Sequence, residues 1–377
     1  MCVIKTMQDL DNFVLGATLF GTGGGGSQVM GKNLLLESFN KGKKLNWVNI
    51  ESIGEEAWVC TAFYMGSIAP LTDEDKQKMK ELGLVERVEK RVLLRAVKKL
   101  EEELDIEISA IIPVELGGLN SSAPLDAAAQ MGKMVVDGDL AGRAVPEVAQ
   151  VLPRIFNYTI CPISCCDAWG NITIIKKVHG YESAEALGKM LSIPAYEPIG
   201  LACFAMQARD AKKAIVNGSL TKCLNTGAVV SKARDNGEDP VNAFASTSGG
   251  KVVFKGKVTA HDWESKGGYM VGNNDINGTG EFESKQFRIY FKNENHITWL
   301  NGKPYVTSPD SIEVVDAHTG EPLTNTDIAV GMEIAVITIP NPIYRTEERI
   351  KILGPSHFGF NDIQYRPMEE ILAKEKR

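Results

Sequence analysis

The sequence lacks any apolar run near the roughly 20 residues that a membrane-spanning helix needs. Its first residues, MCVIKTMQDLDNF, contain neither the apolar core nor the cleavage site of a secretory signal. Positive charge is not in excess either, since 48 Asp and Glu outnumber 41 Lys and Arg, whereas nucleic-acid-binding proteins usually carry a basic face. We therefore expect a cytoplasmic protein that binds neither a membrane nor nucleic acid.

The motifs of several hydrolase classes are also missing. The five histidines are scattered, so the chain has no H-x-H or H-E-x-x-H zinc motif. No G-x-S-x-G elbow supports a serine hydrolase triad. His357, in the glycine-rich tail GPSHFGFND, is the histidine that we expect to lie near a site.

The seven cysteines are an odd number, and three of them lie in CPISCCDAWGN. Cys161, Cys165 and Cys166 could bind zinc with Asp167 or His179, but their C-x-x-x-C-C spacing differs from the C-x-x-C pairs of closed zinc sites. A strand would place the first two thiols on one face and the third on the other. We predict reduced and mostly buried thiols, with a reactive thiolate as an open alternative, and consider Asp167 the better functional candidate.

The order of apolar segments predicts an α/β first domain with three layers and a mixed or parallel sheet. Helices are expected over 8–19, after the N-cap Ser27, over 72–104, from Pro124, in RAVPEVAQVLPRIF and over 183–223. Strands are expected at KLNWVNI, EAWVCTAFYMG, IEISAIIPVE, KMVVDGD, YTICPISCC and NITIIKKV.

The pattern changes at about Gly249, where short β-like runs begin to alternate with turns. This alternation is typical of a small β-barrel or sandwich. We therefore expect an α/β domain at 1–245, joined by the tail 341–377, and a β-rich domain at 246–340.

The most unusual segment is FGTGGGGSQVMGKN at 20–33, which satisfies G-x-G-x-x-G and misses the phosphate-loop motif at Asn33. Both nucleotide motifs need a strand before the loop, whereas a helix is predicted here. A loop that opens a second helix with exposed N–H groups suits an oxyanion or a carboxylate. The glycines that we predict to form a substrate cradle are Gly23, Gly24, Gly25 and Gly26.

Three predicted strands of the first domain end in loops rich in glycine and polar residues. Because the intervening segments are long enough for crossover helices, these strands are expected to be parallel, and their carboxyl ends then share one edge of the sheet. These loops hold Gly66, Glu115, Gly117, Gly118, Asn120, Ser121, Asp137, Asp139, Arg143 and Glu147.

Five of these loop residues are expected to converge, and together they suggest a chemistry. Asp137 and Asp139 could share a hard cation, accept substrate N–H groups or hold one proton between them, while Arg143 keeps both ionised. Glu115 becomes a general base if burial raises its pKa, and Asn120 can orient an amide-like ligand. The alternative is that the two aspartates and the arginine only cap the next helix and pair with each other.

Five sequence blocks in this order resemble a known family: LGATLFGTGGGG, VELGGLNSSAPLDAA, VVDGDLAGRAVPE, DAWGN and LGPSHFGFND. The family is named for S-methyl thiohydantoin desulfurase, was earlier a family of unknown function, and is associated with hydantoinase and oxoprolinase systems. The resemblance implies an α/β domain followed by a β-rich domain, and a reaction in which water replaces a methylthio group to give a hydantoin and methanethiol. The family blocks match Gly23 to Gly26, Glu115, Gly117, Gly118, Asn120, Asp137, Asp139, Arg143, Glu147 and Asp167.

The chain departs from the family pattern in two loops. Ser27 stands where an acidic residue is expected after the glycines, and Ser67 and Ile68 stand where an alanine-proline turn is expected. Both departures fall in predicted site loops, so the substrate can differ from the one in the family name.

The function predicted from the sequence is hydrolysis of a small cyclic amide or amidine of the hydantoin or thiohydantoin type. Glu115 or Asp139 would be the base, and a divalent metal, with zinc the best candidate, would bind Asp137, Asp139 and His357. Glycine-loop N–H groups would hold the developing negative charge. The alternatives are a nucleotide-dependent enzyme of hydantoin or lactam metabolism and a non-catalytic metabolite-binding subunit. We also expect a homo-oligomer, with hydantoinase-system proteins as candidate partners.

Overall fold

The computed structural model describes residues 2–66 and 70–375. Its helices are α1 (Met7–Leu19), α2 (Gln28–Asn40), α3 (Asp73–Glu81), α4 (Val92–Leu104), α5 (Gly118–Met131), α6 (Leu152–Ile155), α7 (Tyr181–Ser192), α8 (Ala208–Ala211), α9 (Ser219–Asp235), α10 (Pro240–Ser248), α11 (Glu347–Leu353) and α12 (Met368–Glu375). Among the helices of these two ranges, none combines the length and apolarity needed to cross a membrane.

The strands of the first half of the chain are β1 (Cys2–Val3), β2 (Asn46–Val48), β3 (Trp58–Met65), β4 (Ile108–Pro113), β5 (Met134–Val136), β6 (Gly138–Asp139), β7 (Ile163–Cys166), β8 (Ile172–Ile175), β9 (Ile199–Gln207) and β10 (Val216–Asn217). The strands of the remainder are β11 (Lys251–Lys266), β12 (Tyr269–Gly278), β13 (Gln286–Lys292), β14 (Glu294–Leu300), β15 (Lys303–Thr307), β16 (Ser311–Asp316) and β17 (Glu333–Ile339).

The first sheet is mixed and has eight strands in the order β1-β2-β5-β4-β3-β9-β7-β8. Strands β2, β5, β4 and β3 pair in parallel, as predicted for the three strands that end in polar loops. Strands β1, β9, β7 and β8 pair antiparallel to their neighbours. The parallel pairing brings the carboxyl ends of β3 and β4 to the same edge, where a ligand crevice forms in such sheets.

Both faces of this sheet are buried, which confirms an α/β layered arrangement. Neighbouring residues alternate between the two cores, with Trp47 and Cys60 on one side and Val48 and Val59 on the other. The first core includes apolar residues of α1, α2, α4, α5 and α9. The second includes residues of α7, of the segment between β6 and β7 and of the C-terminal tail, such as Tyr344.

The second sheet has seven antiparallel strands in the order β15-β14-β13-β12-β11-β17-β16. It curls so that β14 and β15 also contact β16, around a core that contains Phe254 and Phe287. The sheet is therefore a curled half-barrel with β15 and β16 at its edges, which confirms a β-rich, barrel-like second part of the chain, whereas two packed sheets of a sandwich are not formed by these strands. Alternation of side chains reveals which face is buried, but not whether the last strand closes on the first.

Three helix predictions also need correction. The predicted helical region 183–223 contains β9, which lies in the middle of the first sheet. Its sequence IGLACFAMQ is almost uniformly apolar, and such a run does not distinguish a buried strand from a buried helix. Helix α5 begins at Gly118 rather than at Pro124, and the predicted helix in RAVPEVAQVLPRIF is reduced to short turns around 148–150 and 152–155.

Other local predictions are confirmed. Helix α1 begins one residue before the predicted start, and α2 is capped by Ser27, whose hydroxyl accepts a hydrogen bond from the N–H of Met30. The tail after β17 packs on both sheets. The Tyr344 hydroxyl donates to the carbonyl of Gln150 at 2.7 Å, whereas Met368 packs in the core of the half-barrel.

Candidate active site

A cleft lies where three parts of the fold meet: the glycine loop between α1 and α2, the carboxyl ends of β3 and β4, and the turn between β13 and β14. It contains about 610 Å³ of space, part of which is open to solvent. The residues of the cleft that matter below are Gly24, Gly26, Glu115, Asn120, Lys189 and Glu294.

The floor of the cleft is a contact between two backbones. A Cβ atom on Gly25 would lie 2.7 Å from the Cα of Gly117, and one on Gly117 would lie 2.1 Å from the carbonyl oxygen of Gly25. Gly23 and Gly26 have φ angles of 91° and 86°, a region that L side chains rarely adopt. The glycine run is therefore required by close approach and by backbone conformation.

This close approach brings the beginnings of two helices together. A Cβ atom on Gly118, the first residue of α5, would lie 2.9 Å from the backbone nitrogen of Gln28, the first residue of α2. The N-terminus of a helix carries a partial positive charge and unpaired N–H groups. The two N-termini lie beside Gly26 and Asn120 in the lining of the cleft.

Glu115 lies at the end of β4 and is held by two N–H donors. The Asn120 side chain donates to its Oε1 at 2.7 Å, and the backbone N–H of Val145 donates to its Oε2 at 2.6 Å. Asn120 is fixed in turn, because its Oδ1 accepts from the N–H of Tyr64 at 3.0 Å. Burial raises the pKa of Glu115 to about 7, even though both hydrogen bonds act to lower it.

Glu294 is a second buried carboxyl group in the cleft, and the sequence analysis missed it. It comes from the β13–β14 turn, and a Cβ atom on Gly24 would lie 2.0 Å from its Oε1. Burial raises its pKa well above the ordinary range, and the charge of Glu115 raises it further. The local sequence KNENHITWL reads as an ordinary hairpin, so no local signal distinguishes this glutamate.

Lys189 provides a positive charge in the same cleft and was also missed. It extends from α7, is only 7% exposed, and donates to the carbonyl of Gly66 at 3.0 Å. Burial lowers its pKa, while the charges of Glu185, Glu294 and Glu115 oppose that shift. A lysine is rarely this buried unless it is paired, but the amino-acid sequence around it does not reveal its burial.

A polar network forms one side of the cleft around Glu147. This carboxylate bonds to Lys292 and accepts from Nε2 of His357 at 3.0 Å. Burial acts to raise its pKa, but the hydrogen bond and charge of His357 and the charge of Lys292 outweigh burial and lower it to about 2. Next to it, the Tyr269 hydroxyl donates to Glu185 at 2.7 Å.

The predicted aspartate pair lies outside the lining of the cleft. Asp137 accepts from the N–H of Thr221 at 3.0 Å and from its hydroxyl at 2.5 Å, so it caps the start of α9. Asp139 is fully buried and accepts from the N–H groups of Ala141 and Gly142 at 2.9 and 2.6 Å. Burial raises its pKa to about 6. The two carboxylates thus have separate partners and organise the backbone.

Contrary to expectation, Arg143 does not pair with these aspartates. It is buried, and its guanidinium donates to Ser308 and to the carbonyls of Pro309, Asp310, Asn295 and Ala144. It therefore joins the first sheet to the half-barrel.

Asp167 lies in the turn between β7 and β8, where it accepts from the backbone N–H groups of Trp169 and Asn171 and from the Asn171 side chain. It stabilises the hairpin outside the lining of the cleft. The Ser121 hydroxyl accepts from the N–H of Gly117 at 3.1 Å and is buried. The predicted departures at Ser67 and Ile68 lie outside the described residues.

The residues predicted to hold a divalent metal do not come together. Within residues 2–66 and 70–375, no group of three or more His, Cys, Asp and Glu side chains could hold a metal ion. Asp137 and Asp139 are occupied by backbone N–H groups, and His357 bonds to Glu147. These side chains therefore do not fit a shared cation.

The cysteines of CPISCC are free thiols. Cys165 and Cys166 pack in different cores on opposite faces of β7, and Cys161 packs with Cys165, as the strand pattern predicted. Burial raises the pKa of Cys165 to about 12 and that of Cys166 to about 11. Both are therefore neutral at physiological pH and act as small apolar side chains.

The chain thus forms an α/β layered unit and a half-barrel, with a glycine-floored cleft that contains carboxyl groups between them. Family models describe this combination: the S-Me-THD-like N-terminal domain matches residues 8–177, and the S-Me-THD-like C-terminal domain matches residues 179–368. Because the two matches cover nearly the whole chain, this protein belongs to the S-Me-THD-like family.

A crystal structure of a protein from Chromobacterium violaceum has the same fold. It is 21% identical in sequence, and the superposition has a TM-score of 0.76 over 98% of this chain and 100% of that one. The two proteins therefore share the same fold over nearly the whole length of this chain. No curated protein matches significantly.

Proposed function

We propose that this protein hydrolyses a small cyclic amidine or amide of the thiohydantoin type, with water replacing a methylthio group on the ring. Support comes from the S-Me-THD-like family matches and from a cleft that brings Glu115, Glu294 and Lys189 together. The products would be a hydantoin and methanethiol.

The position of Glu115, a buried carboxyl group that lines the cleft, is the single observation that carries this proposal. A general base is most effective when its pKa lies near the operating pH, and burial raises the pKa of this carboxyl to about 7. It faces a cleft rather than a closed core, and its two N–H partners fix its orientation. Glu115 would take a proton from the attacking water.

The floor of the cleft suits the charge that develops in this reaction. When water adds to the ring carbon, the electron pair of the C=N bond moves to the ring nitrogen. The beginnings of α2 and α5 adjoin at the floor, and preorganised N–H dipoles stabilise such charge strongly when water is excluded. Lys189 adds a full positive charge on another side of the cleft.

The test uses an S-methyl isothiohydantoin in ¹⁸O-labelled water, with the hydantoin and methanethiol followed by mass spectrometry. The expected hydantoin carries one ¹⁸O atom. Glu115→Gln should lower kcat/KM by about 10²- to 10⁴-fold, the usual contribution of general base catalysis. Glu281→Gln is the matched control, because Glu281 is exposed on a 3-10 turn of the half-barrel. Absence of turnover by the wild type, or undiminished turnover by Glu115→Gln, would reject the proposal.

A further inference from the structure

We infer that Glu294 is the proton donor to the departing thiolate, which makes ring compounds with strongly basic leaving groups, such as S-alkyl isothiohydantoins, the substrate class. This inference rests on the proposed function. It concerns a residue of the half-barrel rather than of the glycine loop, and it divides the chemistry between two carboxyl groups.

One carboxyl oxygen of Glu294, whose side chain lines the cleft, lacks a hydrogen-bond partner within residues 2–66 and 70–375. The side chain is 2% exposed and lines the cleft, and its buried Oε2 has no hydrogen-bond partner among the described residues. A buried polar atom without a partner is costly and is often explained by function. A substrate in the cleft would provide the missing partner.

The turn that carries Glu294 is held rigidly. The preceding residue, Asn293, has a φ angle of 56°. Its backbone N–H donates to the carbonyl of Met270 at 2.8 Å, and its Oδ1 accepts from the N–H of Met270 at 2.9 Å. The Asn325 side chain donates to its carbonyl at 2.7 Å. The carboxyl group is therefore presented in one position, as proton transfer requires.

The surroundings of Glu294 favour its protonated form. Burial and the negative charge of Glu115 both raise its pKa, whereas the positive charges of Arg143 and Lys189 act against them. Two carboxyl groups whose environments differ in this way divide into an acid and a base. Glu115 has two N–H donors that favour its ionised form, and Glu294 Oε2 has none among the described residues.

The proton transfers balance with these two groups. In the first step the water oxygen bonds to the ring carbon, Glu115 takes a water proton and then passes it to the ring nitrogen. In the second step the C–S bond breaks as the carbonyl forms, the remaining hydroxyl proton moves to Glu115, and the thiolate takes the proton held by Glu294. Transfer of a proton from Glu115 to Glu294 restores the starting state.

The leaving group explains why an acid is needed. A simple alkyl thiol is a weaker acid than the cysteine thiol, whose pKa is about 8.5, so its departure as the free anion is slower than departure assisted by a proton donor. A nitrophenyl thiolate is much less basic and can leave as the anion. Sensitivity to the leaving group therefore distinguishes a proton donor from a residue that only supports the cleft.

The experiment compares two substrates with the same ring, one S-methyl and one S-(4-nitrophenyl). For Glu294→Gln, kcat/KM on the S-methyl substrate should fall by about 10²-fold or more, with a much smaller change on the nitrophenyl substrate. Glu294→Asp keeps an acid and should recover part of the lost S-methyl activity. Glu313→Gln is the control, because Glu313 is a buried glutamate of β16 outside the lining of the cleft, and it should leave the ratio of the two rates unchanged.

The outcomes separate the two proposals. If Glu294→Gln, folded as judged by circular dichroism, loses both substrates by the same factor, Glu294 is not the proton donor and the proposed function stands. If the wild type turns over neither substrate, the proposed function is wrong and the role of Glu294 falls with it. Infrared spectra at pH 7 provide an independent check: the carbonyl absorption of protonated carboxylic acids should be weaker in Glu294→Gln than in the wild type, and unchanged absorption would overturn the inference.

Discussion

Replacing Glu115 by glutamine should change the stability of the protein in a pH-dependent way. The carboxyl group is buried, and its pKa in the folded protein is about 7, compared with an ordinary value of 4.5. Between these two values the folded state binds more protons than the unfolded state. The contribution of this group to the free energy of unfolding therefore falls as pH rises, and the loss is complete above about pH 7.

The size of the effect follows from the pKa values. A rise from 4.5 to about 7, at about 1.4 kcal/mol per pH unit, corresponds to about 3 kcal/mol. Glutamine cannot ionise and avoids this loss. It also has only one acceptor for the two N–H groups of Val145 and Asn120, which costs about 1–3 kcal/mol at every pH.

The assay is urea denaturation of the wild type and Glu115→Gln at several pH values from 4.5 to 8.5. The difference between their free energies of unfolding should shift by about 3 kcal/mol in favour of the variant as pH rises. Loss of the Glu115 charge also removes one cause of the raised pKa of Glu294, which acts in the same direction. Glu281→Gln, at an exposed position, should show no such shift. A difference that stays constant across this pH range would refute the idea that burial raises the pKa of Glu115.

Three further predictions concern the floor, the contact between the sheets and the network beside the cleft. Gly24→Ala should abolish turnover because its Cβ would lie 2.0 Å from the carboxyl oxygen Oε1 of Glu294. Gly54→Ala, where a Cβ would have no atom within 4 Å, should leave turnover unchanged in the same assay. Arg143→Met should lower the free energy of unfolding by about 3 kcal/mol or more, because several buried carbonyl groups lose their hydrogen-bond donor. Arg209→Met removes an exposed ion pair and should lower it by less than about 1 kcal/mol, measured by the same urea denaturation. The pKa of Glu147 is lowered from 4.5 to about 2, so its carboxylate stabilises the folded protein above pH 4.5, and this stabilisation is lost as pH falls through 2. In thermal unfolding, Glu147→Gln should therefore be destabilising at pH 7 and nearly neutral at pH 2.

Part of the site could be predicted because its signals are local. The glycine run and the polar loop after β4 show in the sequence which backbone must approach closely and which carboxylate follows a buried strand. Parallel pairing of β3 and β4 then brings Glu115 to an edge of the sheet. That reasoning needs only strand direction and loop position, and both were correct.

The rest depends on tertiary contacts. Asp137 and Asp139 look like a catalytic pair, but the start of α9 needs the first, and a tight turn needs the second. Glu294 and Lys189 come from a hairpin and a helix that look ordinary in sequence. Docking of the half-barrel on the first sheet brings Glu294 to the cleft, and packing of α7 on the first sheet brings Lys189. For β9, burial on both faces removes the alternation that marks a strand.

The backbone contact between Gly25 and Gly117 also limits how this protein can change during evolution. Any side chain at either position would collide with main-chain atoms, so mutation cannot reshape the floor gradually. The opposite wall, formed by the β13–β14 turn and the end of α7, is made of side chains and can change one residue at a time. Divergence in substrate within the family should therefore be concentrated around positions such as 189 and 293, while the glycine floor remains constant.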